Sequence, residues 1–138
     1  MSYGVGVTLD QPYDAALPAV RAALAEQGFG ILWEVDMAAT LRAKVGAEMS
    51  PYMILGACNP PLAHRAVQAE PPIGLLLPCN VTVRDVGAGQ TRVEALDPQM
   101  MVVVTGNEDV RPVADEASNR LVGALRGLAG AEPTAVPA

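Results

Sequence analysis

The stretch from residue 50 to residue 81 limits the possible folds most strongly. It contains two apolar runs, and each run is followed by the dipeptide Cys-Asn, first at Cys58 and then at Cys79. The only histidine of the chain, His64, lies between them. Because clustered cysteine and histidine side chains are candidates for catalysis or metal binding, we expect any reactive site to lie in this stretch.

A short helix is predicted between the two apolar runs. Asn59 is a favourable N-cap, and Pro60 and Pro61 suit a first helical turn, where their missing N–H groups have no partner to lose. The pair that begins at Pro71 ends the helix, because the residue before a proline avoids helical geometry. The stretch therefore consists of a strand, a helix and a second strand, with Pro78 disturbing the approach to that second strand.

The remaining segments alternate between the periodicities of strands and helices. Strands are predicted over residues 4–9, 29–35, 52–57, 80–86, 91–96 and 101–104. Helices are predicted from about Pro12 to Gly28, between Asp36 as N-cap and Gly46, after Asn59, and over residues 111–128. Pro18 conflicts with a helix that begins at Pro12, so that helix is expected to kink or to begin nearer Asp14.

These elements predict an α+β fold, a curved and mainly antiparallel sheet with helices on one side. Gly87-Ala88-Gly89 is a turn between two strands that form a hairpin. The connections are too irregular for a doubly wound parallel sheet. A length of 138 residues suits one domain, predicted over residues 1–129, with a frayed tail at 130–138.

Charge and composition weigh against several classes of partner. The net charge is −6 and aromatic residues make up 4%, so neither phosphate contacts nor base-stacking platforms are expected, and a nucleic-acid partner is not predicted. No apolar run reaches the roughly 20 residues that span a bilayer, so no membrane partner is predicted either. No secretory signal is recognised, which favours a cytoplasmic location, where the cysteines are expected to be thiols.

Cys58 lies where a strand is expected to end and a helix to begin. N–H groups at a helix start stabilise an anion, so a thiolate with a lowered pKa is expected there. Cys79 is expected to approach Cys58 if both apolar runs end at the same edge of the sheet. The alternative is that both cysteines only pack in the core, as most buried thiols do.

Two kinds of chemistry remain open for this cluster. Cys58, His64 and Cys79 are metal ligands in the first, although structural zinc takes four ligands and a fourth is needed from Glu70, a methionine, water or a second subunit. The six methionines also make a copper(I) site conceivable, because thiolate and thioether ligands select that ion. Met53 and the pair Met100-Met101 are nevertheless more often core filler. In the second, Cys58 is a nucleophile, His64 its base, and Asn59 an orienting group.

The chain resembles the domain-of-unknown-function family 302. The resemblance rests on Gly28-Phe29-Gly30, Glu34-Val35-Asp36, Leu41, Lys44, Tyr52, Leu55-Gly56-Ala57-Cys58-Asn59-Pro60, Ala63-His64, Ala69-Glu70-Pro71, Ile73-Gly74-Leu75-Leu76-Leu77-Pro78-Cys79-Asn80-Val81 and Asp97-Pro98. It implies a curved antiparallel sheet flanked by helices, similar to the TATA-binding-protein arrangement, and commonly a homodimer. It implies no particular activity.

Three hypotheses follow. The first is a small binding or redox module in which Cys58, His64 and Cys79 hold a metal ion or a small thiol-reactive ligand, with zinc, copper or haem as possible cofactors. The second is a small enzyme with Cys58 as nucleophile and His64 as base. The third is a structural homodimerisation domain with packed cysteines. The accompanying binding residues are expected to be Asn59, Pro60, Glu70 and Asn80.

Overall fold

The structure is a computed structural model that describes residues 2–137. The predicted domain and the predicted tail each include one terminal residue, Met1 and Ala138, that lies outside this range. The strands are β1 (Gly4–Leu9), β2 (Gly30–Asp36), β3 (Tyr52–Cys58), β4 (Cys79–Gly87), β5 (Gln90–Leu96) and β6 (Thr134–Ala135). The α-helices are α1 (Tyr13–Glu26), α2 (Met37–Val45), α3 (Pro60–Ala69), α4 (Met100–Thr105) and α5 (Arg111–Ala129). Two 3₁₀ segments cover Pro71–Leu76 and Glu108–Val110.

The six strands of the described residues form one sheet in the order β2-β3-β4-β5-β1-β6. Every neighbouring pair is antiparallel, and the sheet is curved and does not close. The predicted α+β class with a curved antiparallel sheet is therefore confirmed. The β4–β5 hairpin turns through Gly87, Ala88 and Gly89, which all have positive φ. Glycine is the residue that adopts this conformation at low cost, which explains why two of the three turn residues are glycines.

The core lies mainly between the sheet and helices α1 and α5. Its fully buried members include Leu55 and Val81 from the sheet, Leu24 from α1 and Leu121 from α5. A second cluster lies beside it, where α3, the first 3₁₀ segment, α4 and the start of α5 meet around Ile73. This second cluster forms part of the surroundings of the two cysteines.

Local signals in the sequence place several helix ends correctly. Asp36 caps α2, because its carboxylate accepts a hydrogen bond of 2.9 Å from the N–H of Ala39, and Gly46 ends that helix with φ of 67°. Asn59 caps α3 in the same way, and Pro60 and Pro61 occupy its first turn. Helix α1 begins at Tyr13 after Pro12.

One segment contains an unusual residue and another differs from its prediction. Pro18 lies inside α1, which begins at Tyr13, next to Asp14, and its exposed position leaves the buried side of the helix unaffected. Residues 101–104, predicted as a strand, belong to α4, so that prediction is wrong. Asp97 accepts a hydrogen bond from the N–H of Gln99 and starts a helical turn. The consecutive residues Met101 and Val102 are then both buried, because the helix packs against α5.

The C-terminal segment is also more ordered than predicted. Thr134 and Ala135 pair with Gly6 and Val5 of β1 and form the short edge strand β6. The backbone N–H of Val136 donates to the carbonyl of Gly4 at 2.8 Å. These hydrogen bonds hold the segment against the sheet, so residues 134–136 are not a frayed tail.

Helices of the described residues are all too short or too polar to cross a lipid bilayer.

Candidate functional site

Antiparallel pairing brings the two cysteines to the same end of two neighbouring inner strands. Strand β3 ends at Cys58 and strand β4 begins at Cys79, and the two strands run side by side. Ala57 lies directly opposite Cys79 in this pairing, so Cys58 is one residue away from the position that faces Cys79. Cys79 was expected near Cys58 only if both apolar runs ended at the same side of the sheet. In the structure, the end of β3 and the start of β4 lie there.

A cavity of about 290 Å³ opens at this end of β3 and β4. Both cysteines line it, and we call it the cysteine cavity. Its lining residues are Phe29, Leu32, Ala57, Cys58, Asn59, Leu62, Ala63, Ala66, Leu77, Pro78, Cys79, Met101, Val113 and Ala117. All of them except Asn59 and the two thiols carry hydrocarbon or thioether side chains. The arrangement therefore favours an apolar or soft group over a hydrated ion.

Helix α3 forms one wall, and Asn59 fixes where that wall begins. The Asn59 side-chain oxygen accepts a hydrogen bond of 3.3 Å from the N–H of Leu62. The side-chain nitrogen of Asn59 packs against Gly28, where a Cβ would lie only 2.9 Å from it. Gly28 also has φ of +82°, so its lack of a side chain allows both the backbone turn and the close approach of Asn59.

Burial governs the ionisation of both thiols. Cys58 is partly exposed, and burial raises the pKa of its thiol. Cys79 is 7% exposed, and its pKa is raised to about 11, first by burial and then by the negative charge that Cys58 carries when ionised. The prediction of a lowered pKa at Cys58 is therefore wrong in direction. Both groups are neutral thiols at neutral pH.

His64 does not join the two cysteines. It lies on an exposed position of α3, whereas the side of that helix that faces the core presents Leu62 and Ala66. It is not among the residues that line the cysteine cavity. The structure therefore gives no support to His64 as a base for Cys58.

A metal site that includes His64 has no support in the structure either. Within residues 2–137, no three histidine, cysteine, aspartate or glutamate side chains come together in a way that could hold a metal ion. Cys58, His64 and Cys79 are thus not a three-ligand set within one chain. The helix that carries His64 turns it outward, because its register is fixed by the buried positions.

The other predicted binding residues are divided between the cavity and distant positions. Asn59 lines the cavity, but Pro60 is exposed at the start of α3 and does not. Glu70 ends α3 and accepts a hydrogen bond of 3.0 Å from the side chain of Asn107. Asn80 is exposed on β4, opposite Gly56. Glu70 and Asn80 therefore have positions of their own outside the cavity.

Several lining residues were not predicted, and Met101 is the most informative. It is 3% exposed and reaches the cavity from α4. Its placement on a strand in the sequence-based prediction concealed this position. A helix predicted after the Asp97-Pro98 turn would have placed Met101 on a buried face near α5. Leu32, by contrast, lies at a break in the β2–β3 pairing that no sequence signal marks.

The search of curated proteins found no match. A solved structure from Bacillus stearothermophilus, described as an uncharacterized conserved protein DUF302, is similar to the chain with a TM-score of 0.83 and 25% sequence identity. The similarity covers 91% of this chain and 98% of that one. The family described as a domain of unknown function, DUF302, matches residues 5–128. This match spans all of the sheet except Gly4 of β1 and the short strand β6, and it includes both cysteines. The chain therefore belongs to the DUF302 family.

Proposed function

We propose that this protein is a small-ligand binding module whose ligand occupies the cysteine cavity. The single observation that carries the proposal is that both cysteines of the chain lie on the wall of one apolar cavity. Three strands, three helices and the connection between the first 3₁₀ segment and β4 converge to form it. A pair of thiols that served only as core filler would not require an adjoining space of about 290 Å³.

The lining indicates the class of ligand. Ligand sites in proteins usually measure about 300–1,000 Å³, so this cavity suits a small molecule at the lower end of that range. Its walls are hydrocarbon apart from sulfur atoms and Asn59. A small apolar molecule, or one with an electrophilic or soft atom that contacts sulfur, matches these walls better than a charged metabolite.

The thiols act in this proposal as contact and redox groups. Because burial raises the pKa of both Cys58 and Cys79, neither is a ready nucleophile at neutral pH. A redox role would consist of disulfide formation, in which the two thiols lose two protons and two electrons to an oxidant such as a low-molecular-weight disulfide. Binding of a ligand in the cavity would then depend on whether Cys58 and Cys79 are thiols or a disulfide.

Filling the cavity tests the proposal directly. Ala63 lines the cavity at a half-buried position of α3, and Ala63→Leu places a larger side chain there. Ala15→Leu, at an exposed position of α1, is the matched control. Benzene is a suitable probe, because dry apolar cavities of sufficient size bind it.

We expect benzene to shift the NMR signals of residues around Cys79 in the wild type and in Ala15→Leu. We expect Ala63→Leu to weaken this binding at least about tenfold, because the larger side chain fills part of the volume that benzene would occupy. A wild type whose cavity residues show no benzene-dependent shift, or an Ala63→Leu variant that binds benzene as well as the wild type, would contradict the proposal.

A homodimer is a second proposal, supported by the surface of β2 and α2. Helix α2 has no buried residue, and its apolar residue Val45 is 73% exposed. Leu32 on the edge strand β2, which α2 follows directly, is 62% exposed and also lines the cysteine cavity. Exposed apolar residues on adjoining elements are typical of a contact surface. We call residues 30–49, with β2 and α2, the β2–α2 corner, and propose that a second copy of the chain covers it.

The oligomeric state tests this second proposal. We expect light scattering to give the mass of a dimer for the wild type and of a monomer for Val45→Glu, because a buried carboxylate is costly at an apolar contact. Val104→Glu, at a 64% exposed position of α4, is the control and should leave the dimer intact. A wild-type monomer at all concentrations would refute it.

The enzyme hypothesis has less support. It requires Cys58 as thiolate and His64 as base, yet the Cys58 pKa is raised and His64 lies on the exposed side of α3. The expected absence of a nucleic-acid partner and the cytoplasmic location stay predictions from composition.

A further inference from the structure

We propose that the cysteine cavity is a copper(I) site in which Cys58, Cys79 and Met101 supply three sulfur ligands. The inference rests on the ligand-binding role proposed above and names the chemical class of one ligand. It replaces His64 with Met101, a residue that reaches the cavity from a different element. The site then lies within one chain and needs no second subunit.

The three sulfur side chains approach one space from three elements. Cys58 ends β3, Cys79 begins β4 beside it, and Met101 lies in the first turn of α4. All three line the cavity, and Met101 and Cys79 are 3% and 7% exposed. Thioether side chains are flexible, with three rotatable bonds, so the sulfur of Met101 can adjust its position toward the thiols.

The donor set selects copper(I) over zinc. Thiolate and thioether ligands favour copper(I), whereas zinc in proteins takes four nitrogen, oxygen or thiolate ligands and binds thioethers poorly. Within the described residues, no third histidine, cysteine, aspartate or glutamate joins the two cysteines in a metal-binding group. The apolar walls also suit a singly charged soft cation, which has a weaker hold on its hydration water than Zn²⁺ has.

Binding involves proton exchange but no change of oxidation state. Each thiol that becomes a ligand gives its proton to solvent, and its sulfur lone pair forms the bond to copper. Met101 contributes a lone pair and releases no proton. The metal enters as copper(I) and remains copper(I), so the step needs neither an oxidant nor a reductant.

Competition with a copper(I) chelator under anaerobic conditions tests the inference. The reduced full-length protein is titrated into a coloured copper(I)–bicinchoninate complex, and loss of colour measures transfer of the metal. We expect one copper(I) per chain in the wild type. Cys58→Ser and Cys79→Ser should each weaken binding by about 100-fold or more, and Met101→Leu by about tenfold, because each removes a soft ligand.

Met100→Leu is the matched control, since Met100 precedes Met101 in α4 but does not line the cavity. It should bind copper(I) as the wild type does. X-ray absorption of the loaded protein should show a copper shell of sulfur atoms only, with one fewer sulfur in Met101→Leu. Circular dichroism of each variant establishes that a loss of binding is not a loss of fold.

Three outcomes would overturn the inference: no transfer of copper to the wild type, equal affinity in wild type and cysteine variants, or nitrogen ligands in the copper shell. Equal affinity would indicate adventitious copper only. Benzene binding to the metal-free protein separates this inference from the proposed function. If benzene binds and copper(I) does not, the copper site fails and the ligand-binding role stands; if copper(I) binds and benzene does not, the cavity serves the metal alone.

Discussion

The cysteine cavity and the β2–α2 corner use the same local signals but give opposite surfaces. Each has a strand followed directly by a capped helix, with Asn59 as the cap of α3 and Asp36 as the cap of α2. Helix α3 nevertheless buries Leu62 and Ala66 against the second core cluster, whereas α2 buries no residue. The caps therefore determine where a helix begins, and packing alone determines whether it encloses a site or remains open to a partner.

This difference has an energetic consequence. A fully buried aliphatic side chain stabilises the fold by about 1.5–3 kcal/mol relative to an exposed one. The apolar residues around the cavity contribute in this way to the folded chain. Those of the corner contribute little unless a second chain covers them. Substitutions in the two regions should therefore have effects of different size, and any exception would identify a covered surface.

Truncation of an apolar side chain should show the largest contrast. Leu55 on β3 is 0% exposed, and Leu55→Ala should lower the free energy of unfolding by about 2–5 kcal/mol, because it leaves a cavity in the main core. Val45→Ala in α2 should cost less than about 0.5 kcal/mol, as is usual for exposed positions. Urea unfolding measures both. A cost above about 1 kcal/mol for Val45→Ala that grows with protein concentration would show that a partner covers the corner.

Ionisation of Cys79 should give the next largest effect, in alkaline solution. The folded state raises the pKa of Cys79 to about 11, so above the unfolded pKa of about 8.5 the unfolded chain binds fewer protons than the folded one. The stability that the folded chain gains by keeping the Cys79 thiol protonated is fully present below about pH 8.5. It is lost as the pH rises toward about 11. Stability should fall by about 1.4 kcal/mol per pH unit in this window.

Cys79→Ala provides the comparison for the alkaline window. Its free energy of unfolding should lack the part of the pH dependence that comes from the Cys79 thiol. Unfolding by urea at several pH values between 8 and 11 would measure the difference between the two proteins. Identical slopes in the wild type and in Cys79→Ala would show that the Cys79 thiol is not protonated more strongly in the folded state.

Local sequence patterns predicted most of the fold, because the relevant interactions are local. The caps at Asp36 and Asn59, the prolines around α3 and the turn at Gly87-Ala88-Gly89 act within a few residues of their own position. They gave five of the strands and four of the helices with small errors at their ends. The antiparallel class then followed from the clear hairpin.

The site was predicted only in part, since a cavity depends on contacts between distant segments. Cys58 and Cys79 were expected to approach each other only if both apolar runs ended at the same edge, and strand pairing places both cysteines on the wall of one cavity. His64 was included because it is close in sequence, but helix periodicity turns it outward. Met101 was placed on a strand, because the valines beside it have high β-propensity, whereas the contact with α5 overrides that preference. The positions of His64 and Met101 depend on tertiary packing, which a single sequence does not show.

The two helix caps allow a smaller and more local comparison. Asn59→Ala should lower the free energy of unfolding by about 1 kcal/mol, the usual cost of losing an N-cap. Asp36→Ala should cost less in global unfolding, because α2 packs little and can fray without opening the core. Amide hydrogen exchange distinguishes the two responses. We expect faster exchange limited to α2 in Asp36→Ala, and an effect that extends to the walls of the cysteine cavity in Asn59→Ala.

If exchange in Asp36→Ala also increased around Cys79, the cap of α2 would support the cavity and the two regions would not be independent. Unchanged exchange in α3 of Asn59→Ala would show that the Asn59 side chain has no role in holding that wall.

An ion pair at the edge of the corner should have the smallest effect. Two nitrogens of the Arg21 guanidinium donate hydrogen bonds to the carboxylate of Glu34 in β2, Nε to Oε1 at 2.6 Å and Nη2 to Oε2 at 2.8 Å. Their side chains are 37% and 36% exposed, so solvent screens the pair. Glu34→Gln should cost about 0.5 kcal/mol, and this cost should shrink in 1 M salt, where the Debye length is about 3 Å. Glu48→Gln, which removes the 67% and 77% exposed pair with Arg42, is the control and should change nothing measurable. Because Arg21 belongs to α1, a cost at Glu34 well above about 1 kcal/mol would mean that this pair, more than packing, joins the exposed corner to the core.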